Sequence, residues 1–317
     1  MKKLKIKNIE LKNNLVLAPV AGYTDVAFRA LARKYGAGLT YTEMVSAKAL
    51  VYNNKKTEDL LITLDDETPC AVQLFGNEPE VFSEALKLPC LAKFDIIDIN
   101  MGCPAPKIFS NGDGSALMGD INKASEIVKA CVNATDRPIT VKFRSGIDDK
   151  HINAVEFARA IEKAGASAIT IHARTKEQGY SGKADLDIAR QVKEAVKIPV
   201  IVSGDCVDRQ SYEKIMDVTK ADGVMIARGA LGKPEVFAEI LNKECVVDKL
   251  LDIYFHIDTL LQFYSQRFVV LNMRTHIAFY LKKMKVSADQ RVKLLKSENI
   301  QEVKELLKEI FTENAEK

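Results

Sequence analysis

The chain has 317 residues, 47% of them hydrophobic, and a formal net charge of only +3. That length fits a barrel-sized domain with a smaller one beside it, and that apolar fraction excludes an intrinsically disordered chain. The charge excludes a protein that is basic all over, so any phosphate-binding surface must be local.

From the N-terminus, MKKLKIKNIELK is basic but broken by charged and polar residues before Leu15, so neither a secretion signal nor a membrane span is expected. Short β-branched runs then recur at 15–20 (LVLAPV), 39–45 (LTYTEMV), 70–76 (CAVQLFG), 95–101 (DIIDINM), 138–144 (PITVKFR), 167–173 (SAITIHA), 198–203 (IPVIVS) and 222–227 (DGVMIA). Helix-length amphipathic segments, such as 121–134, 152–164, 185–196 and 232–243, separate most of them. Strand followed by helix, repeated around the chain, predicts a closed parallel (β/α)8 TIM barrel. The alternative, an open doubly wound sheet, lacks its fingerprint, because no GxGxxG follows the first run. The Gly- and Pro-bearing stretch 102–120 (GCPAPKIFSNGDGSALMGD) reads as a long loop after the fourth strand, at the end where barrel enzymes keep their chemistry. After about residue 244 the alternation stops, and helices are predicted over 248–264, 266–285, 288–296 and 299–311. The predicted organisation is a catalytic barrel over 1–243 and a smaller all-helical C-terminal domain over 244–317. Six cysteines form no CxxC pair and no Cys/His zinc spacing, so no metal site is expected and a reducing cytoplasm suits the chain.

Side chains alternate across a strand, so parity separates the two faces. In ITVKFR, Ile139, Val141 and Phe143 oppose Thr140, Lys142 and Arg144; in AITIHAR, Ile169 and Ile171 oppose Thr170, His172 and Arg174. With the apolar faces turned to the helices, Gln73, Asn100, Lys142 and His172 converge at the barrel mouth. A lone strand Gln, Asn or His is usually a satisfied structural residue, but a buried lysine needs a partner. Four such groups on four strands point to a polar ligand. The last two strands end in Ser203-Gly204-Asp205 and Ala227-Arg228-Gly229, turns of the kind that bind phosphate through backbone N–H groups, with Arg228 adding a fork of donors. In the tail, Arg267, Arg274, Lys282, Lys283, Lys285, Arg291, Lys293 and Lys296 stand against Asp289 alone, a local +7 interleaved with Phe268, Phe279 and Tyr280. Any one of these charges reads as a solvated helix face; the cluster reads as a surface that tracks phosphates.

The motifs LAPVAGYTD (17–25), QLFG (73–76), DINMGCPAPKI (98–108), VKFRSG (141–146), ITIHART (169–175), VSGD (202–205) and IARGALGKPEVF (226–237) resemble the tRNA-dihydrouridine synthases, closest to the bacterial B-type branch. The resemblance implies FMN as cofactor, NADPH as electron donor and a flipped-out uridine of tRNA as substrate, with a hydride delivered to C6 and a proton to C5. It implies that Pro19, Val20 and Ala21 line the flavin ring. Gln73, Lys142 and His172 would meet its heteroatoms, and Ser203, Gly204, Asp205, Ala227 and Arg228 its ribityl phosphate. Cys103 would be the proton donor, and Glu43, Asn100, Arg144 and Arg174 would meet the nucleotide or its phosphates. No protein partner is implied. Three positions depart from the family pattern: Ser203 stands for a usual Asn, Ala227 for a usual Gly, and Thr275 for the lysine of an A-R-K-H run.

The chemistry suits these residue types. A free thiol is mostly protonated at neutral pH and can donate a proton, although by residue type alone a cysteine is more often a small buried apolar group. A cation beside the pyrimidine end of a flavin stabilises the charge of the reduced ring. Extruding a uridine from folded RNA costs about a few kcal/mol, which contacts elsewhere on the RNA must offset. Two rivals remain: a flavin barrel acting on a free pyrimidine base, and a barrel that binds RNA without catalysis. The basic tail opposes the first; Cys103, Lys142 and His172 together oppose the second.

Overall fold

The computed structural model describes residues 3–315; residues 1–2 and 316–317, the outer ends of the two predicted domains, lie outside the described residues. A hairpin of β1 (Lys5–Ile6) and β2 (Ile9–Glu10) comes first. Eight strands follow: β3 (Leu15–Leu17), β4 (Thr40–Ser46), β5 (Cys70–Phe75), β6 (Ile96–Met101), β7 (Ile139–Arg144), β8 (Ala168–His172), β9 (Val200–Ser203) and β10 (Gly223–Ile226). They form one parallel sheet in the order β3-β10-β9-β8-β7-β6-β5-β4. A parallel bridge between Val16 and Leu39 brings β3 to the start of β4 and closes the cylinder. Across that seam the Leu17 N–H donates to Leu39 O at 2.9 Å. This is the predicted (β/α)8 barrel.

Parity sorts the core as predicted. Val72, Leu74, Ile97, Ile99, Ile139, Val141, Phe143, Ile169 and Ile171 are buried outside the barrel against its helices. Burying each such side chain stabilises the fold by about 1.5–3 kcal/mol. Ala71, Ile96, Ala168, Ile201 and Met225 fill the bottom of the barrel, where Leu4, Ile6 and Leu11 of the hairpin segment join them. The hairpin turns at Lys7, which is left-handed at φ 53°. The barrel interior is therefore packed shut below and polar above.

Helix starts follow their caps. Asp25 accepts from Phe28 N–H and opens helix Val26–Lys34; Asp120 accepts from Lys123 N–H and opens Ile121–Ala134. Asp208 and Ser211 form a capping box at helix Arg209–Thr219. The stretch 102–120 is less loop-like than expected, since it carries a short helix, Pro106–Ser110, and a 3-10 segment, Gly114–Gly119.

The tail is helical as predicted, over Lys249–Leu261, Gln266–Tyr280, Ala288–Lys296 and Ile300–Ala315. The second of these stops at Tyr280 rather than 285, with Leu281 as its C-cap. Ile253, Ile257, Leu260, Val269, Met273, Ile277 and Leu307 form a separate buried cluster that also takes in Val26, Ala27 and Leu31 from the first barrel helix. The tail is thus seated on the barrel through one shared core. Among the described residues no helix is long and apolar enough to cross a membrane.

Candidate active site

A cleft of about 660 Å³ opens at the C-terminal ends of the barrel strands. It brings together Pro19, Val20, Ala21, Gln73, Asn100, Cys103, Lys142, Arg144, His172, Ser203, Gly204, Asp205, Ala227 and Arg228. The register explains the grouping. Gln73 pairs with Asp98, and Asn100 with Lys142, while Arg144, His172 and Ser203 make one row across three strands.

Lys142 is half-buried beside Arg144. Burial, reinforced by Arg144, lowers its ammonium to about 8, although Asp98 and Cys103 oppose the shift. Burial and then Lys142, Arg144, Arg174 and Arg228 lower His172 to about 2, so its ring is neutral at physiological pH. Arg174 Nη1 lies 3.3 Å from His172 Nε2. A guanidinium can only donate, so Nε2 accepts and the ring proton sits on Nδ1. The rim turn is shaped for close backbone approach. Gly204 has φ +126°, and a Cβ there would meet Ala184 Cβ at 2.9 Å. Burial opposes ionisation of Asp205, but the Ala184 N–H and Arg174 outweigh it and hold the carboxyl below its usual range.

Two of the predicted site residues stand outside the cleft lining. Arg174 is 1% exposed and donates to Ser181 O, Gly182 O and both oxygens of Asp205. It ties the loop after β8 to the turn after β9. Glu43 lies where the β4–β5 register shifts, and its Oε2 accepts from Gly22 N–H at 2.6 Å. Burial raises its carboxyl above the usual range, and Asp25 adds to the shift. Arg144 lines the cleft yet also donates to Gly102 O at 2.8 Å and to Thr175 O and Gly179 O at 2.9 Å.

The cleft also has walls that the sequence reading did not assign to it. Tyr180, 58% exposed, lies with its ring 4.8 Å from the Arg228 guanidinium and 5.8 Å from that of Arg144. Tyr23 and Met44 join from the barrel, and Phe279 and Lys282 from the tail. Phe279 packs edge-on against Tyr23 at 5.4 Å. The only local signal was the aromatic and basic interleaving of the tail, which says nothing of where the tail docks.

The docking point is polar. His256 Nε2 and His276 Nε2, both from the tail, each lie 3.1 Å from Asp25 Oδ2. His276 is close to the carboxylate without an aligned hydrogen bond. Burial opposes ionisation of Asp25, but His256 and then His276 hold its carboxyl well below the usual range. These three side chains are donor types that bind metals, with ligand atoms within 4.8 Å of one another. Two imidazoles converging on one carboxylate account for the same arrangement. His276 is therefore in the seam at 2% exposure, and Arg274 donates to Ser297 O at 3.2 Å, while Thr275 is exposed.

Comparison with known proteins agrees with this architecture. A family model described as dihydrouridine synthase matches residues 16–316. A "Probable tRNA-dihydrouridine synthase" of Rickettsia conorii is 39% identical, covering 98% of this chain and 96% of that protein. "tRNA-dihydrouridine synthase B" of Vibrio parahaemolyticus is 37% identical, covering 91% of this chain and 92% of that protein. Among solved structures, morphinone reductase superposes with a TM-score of 0.57 at 12% identity, covering 77% of this chain and 90% of its own. A 2-naphthoyl-CoA reductase complex superposes with a TM-score of 0.60 at 13% identity, covering 76% of this chain and 52% of its own. At such identities these two speak for the barrel alone. The match over residues 16–316 and relatives aligned along nearly their whole length decide the family: this chain belongs to the dihydrouridine synthases.

Proposed function

We propose that this protein reduces the C5=C6 bond of a uridine in tRNA to 5,6-dihydrouridine, with FMN as cofactor, NADPH as electron donor and Cys103 as proton donor. The observation that carries the reading is the meeting, in one cleft, of the Cys103 loop, a half-buried lysine, a neutral histidine and two rim turns suited to a phosphate. The names of the relatives, tRNA-dihydrouridine synthases, supply the substrate class.

The residues fit FMN. No hydrogen bond or ion pair of the Lys142 ammonium is found among the described residues, and a partly desolvated cation of this kind asks for an anionic or carbonyl partner. Gly204 leaves the backbone of the rim bare, as a phosphate cradle needs. Pro19, Val20 and Ala21 would lie along the ring; Gln73, Lys142 and His172 would meet its polar edge; Ser203, Gly204, Asp205, Ala227 and Arg228 would hold the ribityl phosphate. When bound and reduced, FMN supplies the hydride that C6 receives.

The chain's own residues do the rest. The Cys103 thiol gives its proton to C5, and the thiolate is reprotonated from water, so each turnover adds one hydride and one proton across the double bond. Asn100 and Arg144 line the substrate side of the cleft. Glu43 and Arg174 serve it indirectly, by tying the loops that frame it. Residues 1–243 make the catalytic domain and 244–317 the tRNA-binding domain, whose Lys282 and Phe279 reach the cleft while its other bases follow the RNA backbone. The scheme is a cytoplasmic one and needs no second protein.

The test is direct. The purified protein should release FMN, oxidise NADPH when tRNA lacking dihydrouridine is added, and leave dihydrouridine detectable by mass spectrometry. Turnover of free uridine or uracil at the rate of tRNA would replace this reading with that of a free-pyrimidine reductase. Release of FAD, or no flavin after reconstitution, would remove it.

A further inference from the structure

Beneath the cleft, the polar side chains form an ordered series that starts at Asp98. This residue is fully buried on β6. Its Oδ1 accepts from Thr140 Oγ1 at 2.5 Å, and its Oδ2 accepts from Gln73 Nε2 at 2.7 Å. A carboxylate cannot donate, so Gln73 must turn its NH2 group to Asp98 and its carbonyl away. That carbonyl oxygen accepts from Asn100 Nδ2 at 2.8 Å. Asn100 must then turn its own carbonyl to the loop after β6. There its Oδ1 accepts from Gly102 N–H at 3.1 Å and Cys103 N–H at 2.9 Å. Rotating either amide by a half-turn would set donor against donor or acceptor against acceptor at every joint.

We propose that Asp98 is a positioning residue for Cys103: its buried carboxylate sets the direction of the Gln73 and Asn100 amides and, through them, holds the Cys103 backbone at the cleft. The consequence for catalysis rests on the reading of Cys103 as the proton donor; the positioning itself does not. Three features support the assignment. Asp98 is absent from the cleft lining, so it does not meet substrate or cofactor there. Burial raises its carboxyl to about 6, while Thr140, Gln73 and Lys142 favour the charged form, so it is ionised at neutral pH and acts as an acceptor only. The far side of Cys103 is fastened separately, its carbonyl accepting from Ser115 Oγ at 2.8 Å and Ser115 N–H at 3.1 Å. The Asn100 side is therefore the hold that the Asp98 series controls.

The experiment measures the thiol rather than turnover. Holoenzyme is treated with iodoacetamide, and alkylation of the Cys103 peptide is timed by mass spectrometry, with exposed Cys245 as internal control. Asp98→Leu should change the Cys103 rate by about fivefold, the weight of roughly one hydrogen bond, and leave Cys245 unchanged. Asp98→Asn should stay near wild type, because a carboxamide can still turn its oxygen to Gln73. If Asp98→Leu fails to fold, the second pair decides. Gln73→Glu places two carboxylates face to face and should disturb the Cys103 rate. Adding Asp98→Asn to it should restore the rate, because the new carboxamide donates where the old carboxylate accepted. Wild-type Cys103 alkylation in a folded Asp98→Leu protein, or no restoration in the double variant, overturns the proposal. Altered alkylation with unchanged dihydrouridine formation upholds the positioning and instead removes Cys103 as proton donor.

Discussion

Replacing Arg174 by methionine keeps much of the side chain's length and removes every donor. In the native protein these donors reach Ser181 O at 3.0 Å, Gly182 O at 2.8 Å and the Asp205 oxygens at 2.7 and 2.8 Å. Breaking a fully buried ion pair costs about 3–5 kcal/mol. Here Asp205 is 41% exposed, keeps the Ala184 N–H at 2.8 Å, and has Arg228 at 3.8 Å. Water and these neighbours compensate the abandoned carboxylate in part, and the loop carbonyls are near enough to the surface to hydrate. The lower end of the range applies, about 3 kcal/mol. For a chain of this size that loss lowers the melting temperature by roughly 4–5 °C. FMN affinity should fall as well, since the turn at 204–205 loses its tie to the loop carrying Tyr180. Thermal unfolding of the FMN-loaded protein and a flavin titration measure both. If melting and FMN affinity both stay at wild-type values, the guanidinium is not a scaffold element, and its place is with the RNA.

Cys103→Ala should keep FMN and its reduction by NADPH, while dihydrouridine formation falls by about 10²–10⁴-fold; stopped-flow of each half-reaction separates the two. Reversing Lys283, Lys285 and Lys293, all exposed on the tail, to Glu should weaken tRNA binding and leave flavin reduction unchanged. The logarithmic salt slope of binding should become shallower by about 0.7–0.9 for each phosphate that is no longer neutralised; an unchanged slope moves the RNA surface to the barrel rim. Asp25 titrates well below an ordinary carboxyl when folded, so its contribution to stability is complete above about pH 4 and is lost as the pH falls through the folded value. Asp25→Asn should therefore lower the melting temperature at pH 7 and flatten its fall toward pH 3.

Period and parity carried much of this architecture. Helix Ile121–Ala134 begins where Asp120 caps it, a local event that the sequence spells out. Gln73, Asn100, Lys142 and His172 could be grouped because a strand commits alternate residues to opposite faces, and the barrel then fixes which face is inside. What parity cannot show is how far a long side chain bends back. Arg174 shares the axial face with His172, yet its guanidinium turns to loop carbonyls rather than the cleft, a choice made by the loop 175–184. The Arg274–His276 run was legible as a motif, but the burial of His276 depends on Asp25, far away in sequence. The hairpin at Lys5–Glu10 was too short to show a period, and its role comes from long-range packing with Ile201 and Met225.

That hairpin and the apolar layer above it have a kinetic meaning. With the lower end of the cylinder filled by apolar side chains, its polar interior side chains open to the cleft at the upper end. On the proposed reading, the nicotinamide of the reductant and the extruded base both enter through this cleft of about 660 Å³. Sharing it, the two would take turns: one would arrive, leave its electrons behind and depart before the other settled. On that reading a shared doorway would make the protein a relay that stores reducing equivalents between visits, with each substrate competing for the form of the enzyme that the other requires.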